Sequence, residues 1–187
     1  MHISKVKYIK RKLPLLLTGL WISTLPLSAV SANPFGTGQF GSNIPYGSQT
    51  SLTISTSGNV SIQVTPTEAG TLGTANNNVT VASTDVVGYK LYVRSLSSTD
   101  MTNGPAVLPA SSNGLPAALS SNTWGYNTDA SSNFVGMTST DVLIKNAVGP
   151  FSSGDVTQVT YGVKVDNAKP AGSYTTAVVY TAVPQTD

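Results

Sequence analysis

From Leu52 onward the apolar residues of this chain recur at every second position, and almost nowhere at every third or fourth. Leu52 and Ile54 alternate with polar neighbours, and so do Val60, Ile62 and Val64, and Val79 and Val81. Val87, Tyr89, Leu91 and Val93 do the same, as do Val159, Tyr161, Val163 and Val165. Successive side chains of a strand point to opposite faces, so each run describes a sheet with one dry and one wet face. Residues 174–183 are apolar on both faces, as in a central or covered strand. Shorter runs at 123–126 and 142–144 predict two more strands, and a single short helical turn is expected near Pro116 to Leu119.

Turn residues punctuate these runs: Ser57-Gly58-Asn59 at hairpin spacing, Glu68-Ala69-Gly70, Asn76-Asn77-Asn78, and residues 167–172. Six to nine short strands with such turns predict an all-β fold, an antiparallel β-sandwich of immunoglobulin-like or pilin/adhesin-like type, over residues 51–187. The stretch 95–156 is rich in Ser, Asn and Thr. Either hidden short strands fill it, or it forms exposed loops that carry recognition.

The first 32 residues have a different character. Lys5, Lys7, Lys10, Arg11 and Lys12 precede an apolar run from Leu13 to Val30, which closes on the small residues Ser31 and Ala32. That order reads as a secretory signal peptide over 1–32. An uncleaved anchor is the competing reading, but Pro14 and Pro26 interrupt the run, and no transmembrane span is expected after cleavage. Residues 33–50, rich in Gly, Ser and Asn and carrying Phe35, Phe40 and Tyr46, read as a flexible N-terminal arm.

Cleavage changes the chemistry that remains. The whole chain carries a net charge of +2, but half of its ten Lys and Arg residues and its one histidine, His2, precede Ala32. Five basic residues against eight carboxylates then leave −3 on residues 33–187. No basic cluster survives, so no nucleic-acid partner is expected. The absence of cysteine means that an exported domain of this size must be held by packing and sheet hydrogen bonds.

Without His or Cys, the expected mature chain lacks Ser-His-Asp and Cys-His catalysis and the usual zinc ligands. Its carboxylates are scattered, with no local pair for glycoside hydrolysis and no calcium-loop spacing around Asp129 and Asp141. The chain is therefore expected not to be an enzyme and to carry no cofactor or metal. Lys90 and Lys164 fall on faces read as wet, as ordinary exposed lysines rather than partners in an isopeptide crosslink.

Trp124 and Tyr126 flank Gly125 and have two readings. They form a stacking platform for a sugar or peptide, or Trp124 fills the sandwich core. Tyr174, just after Pro170-Ala171-Gly172-Ser173, is placed to tie that turn to the backbone through its hydroxyl, as a tyrosine corner does.

The segments Thr123-Trp124-Gly125-Tyr126, 159–166 and Pro170-Ala171-Gly172-Ser173-Tyr174 leading into 178–182 resemble small exported cell-surface β-sandwich proteins of candidate-phyla-type bacteria. The Pro-Ala-Gly-x-Tyr entry to a final strand is also similar to pilin-like and adhesin domains. The resemblance covers roughly 124–183 well and 60–94 loosely. It implies an exported bacterial β domain. The Trp-x-Leu motifs of WxL surface proteins are missing, so peptidoglycan binding does not carry over. The function expected is a secreted or cell-surface structural or adhesive protein acting by display or assembly. Its partners would be copies of itself or another surface protein, met by β-strand addition. The alternative is a carbohydrate-binding module that meets glycans through Trp124, Tyr126 and the 95–156 loops.

Overall fold

The computed structural model describes residues 50–186. The signal peptide read at 1–32 and, apart from Thr50, the arm read at 33–50 lie outside the described residues. The elements are β1 (Ser51–Thr56), β2 (Thr71–Thr84), β3 (Gly88–Ser95), β4 (Met101–Asn103), β5 (Ala106–Leu108), β6 (Thr123–Asn127), β7 (Val142–Val148), β8 (Phe151–Val165) and β9 (Val178–Gln185). The described residues contain no helix, so the turn expected at 116–119 does not form. Ala117 instead makes a β-bridge with Phe134.

Two antiparallel sheets form the sandwich, one ordered β1-β2-β8-β6 and the other β7-β3-β9, with β4-β5 as a small ribbon. The pairing of β2 with β8 is the longest, running from Thr71 opposite Val165 to Ser83 opposite Phe151, with one register shift after Val81. The dry faces meet between the sheets. Val79 and Val81 of β2 and Val159, Tyr161 and Val163 of β8 face Tyr89, Leu91 and Val93 of β3, all buried. Full burial of each such aliphatic side chain contributes roughly 1.5–3 kcal/mol.

The stretch 95–156 contains β4 to β7 and the start of β8. Part of its remainder shields β6. The Trp124 N–H donates to Pro109 O, and Tyr126 exchanges both backbone bonds with Val135.

Three turn or strand expectations give way to tertiary pairing. Asn76, Asn77 and Asn78 lie inside β2 rather than in a turn, despite the poor strand propensity of Asn. Buried Asn77 repays its position: its Oδ1 accepts from the N–H and Oγ of Ser57, and its Nδ2 donates to Gly58 O. The Ser57-Gly58-Asn59 hairpin is absent because β1 pairs with the distant end of β2, Ser51 opposite Thr84. Val60, Ile62 and Val64 keep their alternating burial but join no strand. Gly58 is the reason. Its φ of +107°, a value that favours glycine, turns the chain off the ladder.

Candidate functional site

Where the chain leaves β1, the sandwich opens. A groove of about 1060 Å³ lies between the segment from Gly58 to Pro66 on one wall and residues 169–178 with Tyr180 on the other. Asn77 fastens the first wall at its start through the bonds to Ser57 and Gly58. Farther on, this wall crosses β2 at Gly73, where an added Cβ would stand 2.5 Å from Val64 Cγ2 and 2.8 Å from Ile62 Cγ2. Only a residue without a Cβ admits so close a crossing.

The second wall is held by Tyr174, whose hydroxyl donates to Pro170 O at 2.8 Å. This is the turn tie expected from the sequence. Thr175 exchanges backbone bonds with Thr102, anchoring the wall to β4.

The groove is nearly uncharged. Among its lining residues Lys169 alone is charged, and its Nζ is turned to Val107 O at 2.7 Å. Val60, Ile62, Met101, Val165 and Val178 give the walls an apolar surface. Beneath the groove, the hydroxyls of Tyr161 and Tyr180 meet at 2.5 Å and join the two sheets. Burial raises both tyrosines above the usual phenol range. For Tyr161 the neighbouring Tyr180 adds to this, and for Tyr180 the bond to Tyr161 partly offsets it.

Trp124 lines the inner end of the groove, fully buried, with its Nε1 donating to Thr99 O at 2.9 Å. Tyr126 is buried beside it in the same core. Both rings fill the core, which is the second of the two readings that the sequence offered for Trp124. A flat ring stacks on a sugar only when one face is open to solvent, and here Tyr161, 6.4 Å away between centroids, covers Trp124.

One stretch of backbone bordering the groove makes no ladder among the described residues. Among the described residues, no backbone hydrogen bond involves Asn59 to Val64. Among the described residues β9 has a ladder with β3 alone, and β1 lies close beside it without pairing to it. This feature escapes sequence reading, because alternation fixes the buried face of a segment and not the neighbour beside it.

On the far side of the core, β7 and β8 are linked through charge. Lys145 Nζ lies 2.8 Å from Asp155 Oδ1, and the Tyr89 hydroxyl donates to Asp155 Oδ2 at 2.7 Å. Partial burial opposes charge on Asp155, but the bonds from Lys145 and Tyr89 outweigh it and hold the carboxyl below its ordinary range. Burial and the same carboxylate push the Tyr89 phenol up. This cluster ties β7 and β3 to β8. Asp129 accepts from the Ser131 N–H, and Asp141 pairs with Arg94 at 3.4 Å, so each has a local role in a loop. Lys90 and Lys164 are half-buried on their strands. Among the described residues no three metal-ligating side chains come together, and no helix is long and apolar enough to cross a membrane.

Comparisons with protein-family models, curated proteins and solved structures find no match for this chain.

Proposed function

We propose that this chain is an exported cell-surface protein of structural or adhesive type, acting by display and assembly rather than by catalysis, with copies of itself as partners. One observation carries the reading: the apolar groove between the sheets is bordered by the stretch 59–64, which makes no backbone hydrogen bond among the described residues. Unpaired N–H and C=O groups beside apolar surface are the features that β-strand addition uses, with main-chain bonds giving affinity and side-chain pockets giving specificity. The leader-like first 32 residues and the resemblance to exported surface domains support an address outside the cell. The neutral lining of the groove favours an extended polypeptide over a charged ligand.

Intact mass and light scattering on the exported chain test this together. The expected outcome is a mass that starts at Asn33 and a scattering mass that rises with concentration. A chain that retains residues 1–32 and stays monomeric up to about 1 mM overturns the proposal.

A further inference from the structure

We propose that Asn103 is a site of spontaneous deamidation, at which the backbone nitrogen of Gly104 attacks the side-chain amide carbon and the neutral tip of the β4-β5 ribbon acquires a carboxylate. The fold directs this chemistry to one of two places that the sequence makes equivalent.

The sequence contains two Asn-Gly pairs, Asn103-Gly104 and Asn113-Gly114. Asn followed by Gly is the labile context, because glycine has no Cβ to hinder its own nitrogen. Exposure does not separate the two pairs. Both asparagines are half-buried and both glycines are exposed. A Cβ built on either glycine would meet nothing within 4 Å. Neither glycine N–H makes a backbone hydrogen bond among the described residues.

The hold on the asparagine side chain does separate them. Asn113 Nδ2 donates toward three carbonyls, Ala117 O at 3.1 Å, Ala118 O at 3.2 Å and Phe134 O at 3.1 Å. Its own carbonyl accepts from the Gly136 N–H at 3.0 Å. Closing a ring on Gly114 would require the amide to rotate out of these bonds, and loss of ammonia would leave the carbonyls without their donor. The Asn103 amide makes no hydrogen bond among the described residues. It packs on Gly172, where a built Cβ would fall on the amide itself. That contact is steric and places no bond on the leaving nitrogen. The backbone there also opens easily. Asn103 ends β4, and Gly104 and Pro105 form the tip between two strands of three residues each. So short a ribbon frays at its tip at little cost.

The step needs only water. The Gly104 nitrogen gives its proton to hydroxide and bonds to Asn103 Cγ. The Cγ–Nδ2 bond breaks, and Nδ2 takes a proton from water and leaves as ammonia, so that a succinimide ring remains. Water then opens the ring. Attack at Cγ leaves aspartate, and attack at the backbone carbonyl leaves isoaspartate, whose main chain runs through Cγ. Either product sets a negative charge beside Gly172, which lines the nearly uncharged groove. Isoaspartate also lengthens the chain next to the paired bonds of Thr102 with Thr175. The reaction is therefore a slow, one-way change of the groove wall.

The test ages the purified chain at mildly alkaline pH, folded in one arm and in concentrated urea in the other. Mass spectrometry of the peptides holding positions 103 and 113 resolves amide, aspartate and isoaspartate. In the folded chain, conversion at 103 should be at least tenfold faster than at 113. In urea the two rates should come within about threefold of each other. Conversion at 103 no faster than at 113 in the folded chain overturns the proposal. A tenfold difference that persists in urea also overturns it, since the following residues, Pro105 and Leu115, would then set the rates instead of the fold. Asn103→Gln, whose longer side chain closes its ring far more slowly, should stop conversion at 103 and leave that at 113 unchanged.

Discussion

The hydroxyl of Tyr161 on β8 meets the hydroxyl of Tyr180 on β9 at 2.5 Å, joining the two sheets under the groove floor. Each oxygen has the other as its partner, with Tyr161 buried and Tyr180 half-buried. Replacing one Tyr by Phe leaves the other hydroxyl buried without its bond, which costs about 1–3 kcal/mol. Replacing both removes the orphan. Urea unfolding of Tyr161→Phe, Tyr180→Phe and the double variant should therefore show a double-variant cost below the sum of the singles.

The same phenols set an alkaline limit. Tyr89, Tyr126, Tyr161 and Tyr180 all have raised pKa values, with burial as the largest cause. The unfolded chain releases these protons near pH 10, whereas the folded chain holds them. Stability is thus intact below about pH 10 and falls as the pH rises above it. Absorbance at alkaline pH should show these four tyrosines ionising together with loss of β-sheet circular dichroism, not before it.

Acid acts through Asp155. Its carboxyl is held below the ordinary range by Lys145 and Tyr89 against the opposing effect of burial. A lowered folded value gives stability that is present above the unfolded pKa, near 4, and lost as the pH falls through the folded value. With side-chain exposures of 28% for Lys145 and 18% for Asp155, the pair is partly screened, so Asp155→Asn is expected to cost about 1–2 kcal/mol at pH 7. Denaturant midpoints should separate wild type from Asp155→Asn at pH 7 and begin to converge as the pH falls below about 4.

Trp124 gives a direct spectroscopic check. Trp21 lies within residues 1–32, so residues 33–187 contain one tryptophan. Its full burial predicts blue-shifted emission with little acrylamide quenching. Trp124→Ala should destabilise by about 3–5 kcal/mol through loss of packing and of the Nε1 bond to Thr99. Exposed-type emission would contradict the core placement.

The crossing at Gly73 can be tested on the groove itself. Gly73→Val places side-chain atoms where Val64 and Ile62 already lie. The wall must move outward, and the expected outcome is a cost of about 1–3 kcal/mol together with weaker self-assembly by light scattering.

The sequence by itself determined the all-β class, because alternation states directly which side of each segment is dry. Tyr89, Leu91 and Val93 point into the core as their spacing requires, and so do Val159, Tyr161 and Val163. The tie from Tyr174 to Pro170 was equally legible, since both partners lie within five residues. What only the tertiary structure decided is adjacency. Val60, Ile62 and Val64 carry the same signal as Val159, Tyr161 and Val163, yet one run is an unpaired wall and the other a central strand. Asn76 to Asn78 read as a turn until β8 lies alongside them and Asn77 binds Ser57 and Gly58. Trp124 was open to two readings until Tyr161 and Thr99 enclosed it. Side-chain period is a property of one segment, whereas ladder pairing depends on segments up to a hundred residues apart. The groove wall at 59–64 has no ladder neighbour among the described residues, and no local pattern records that.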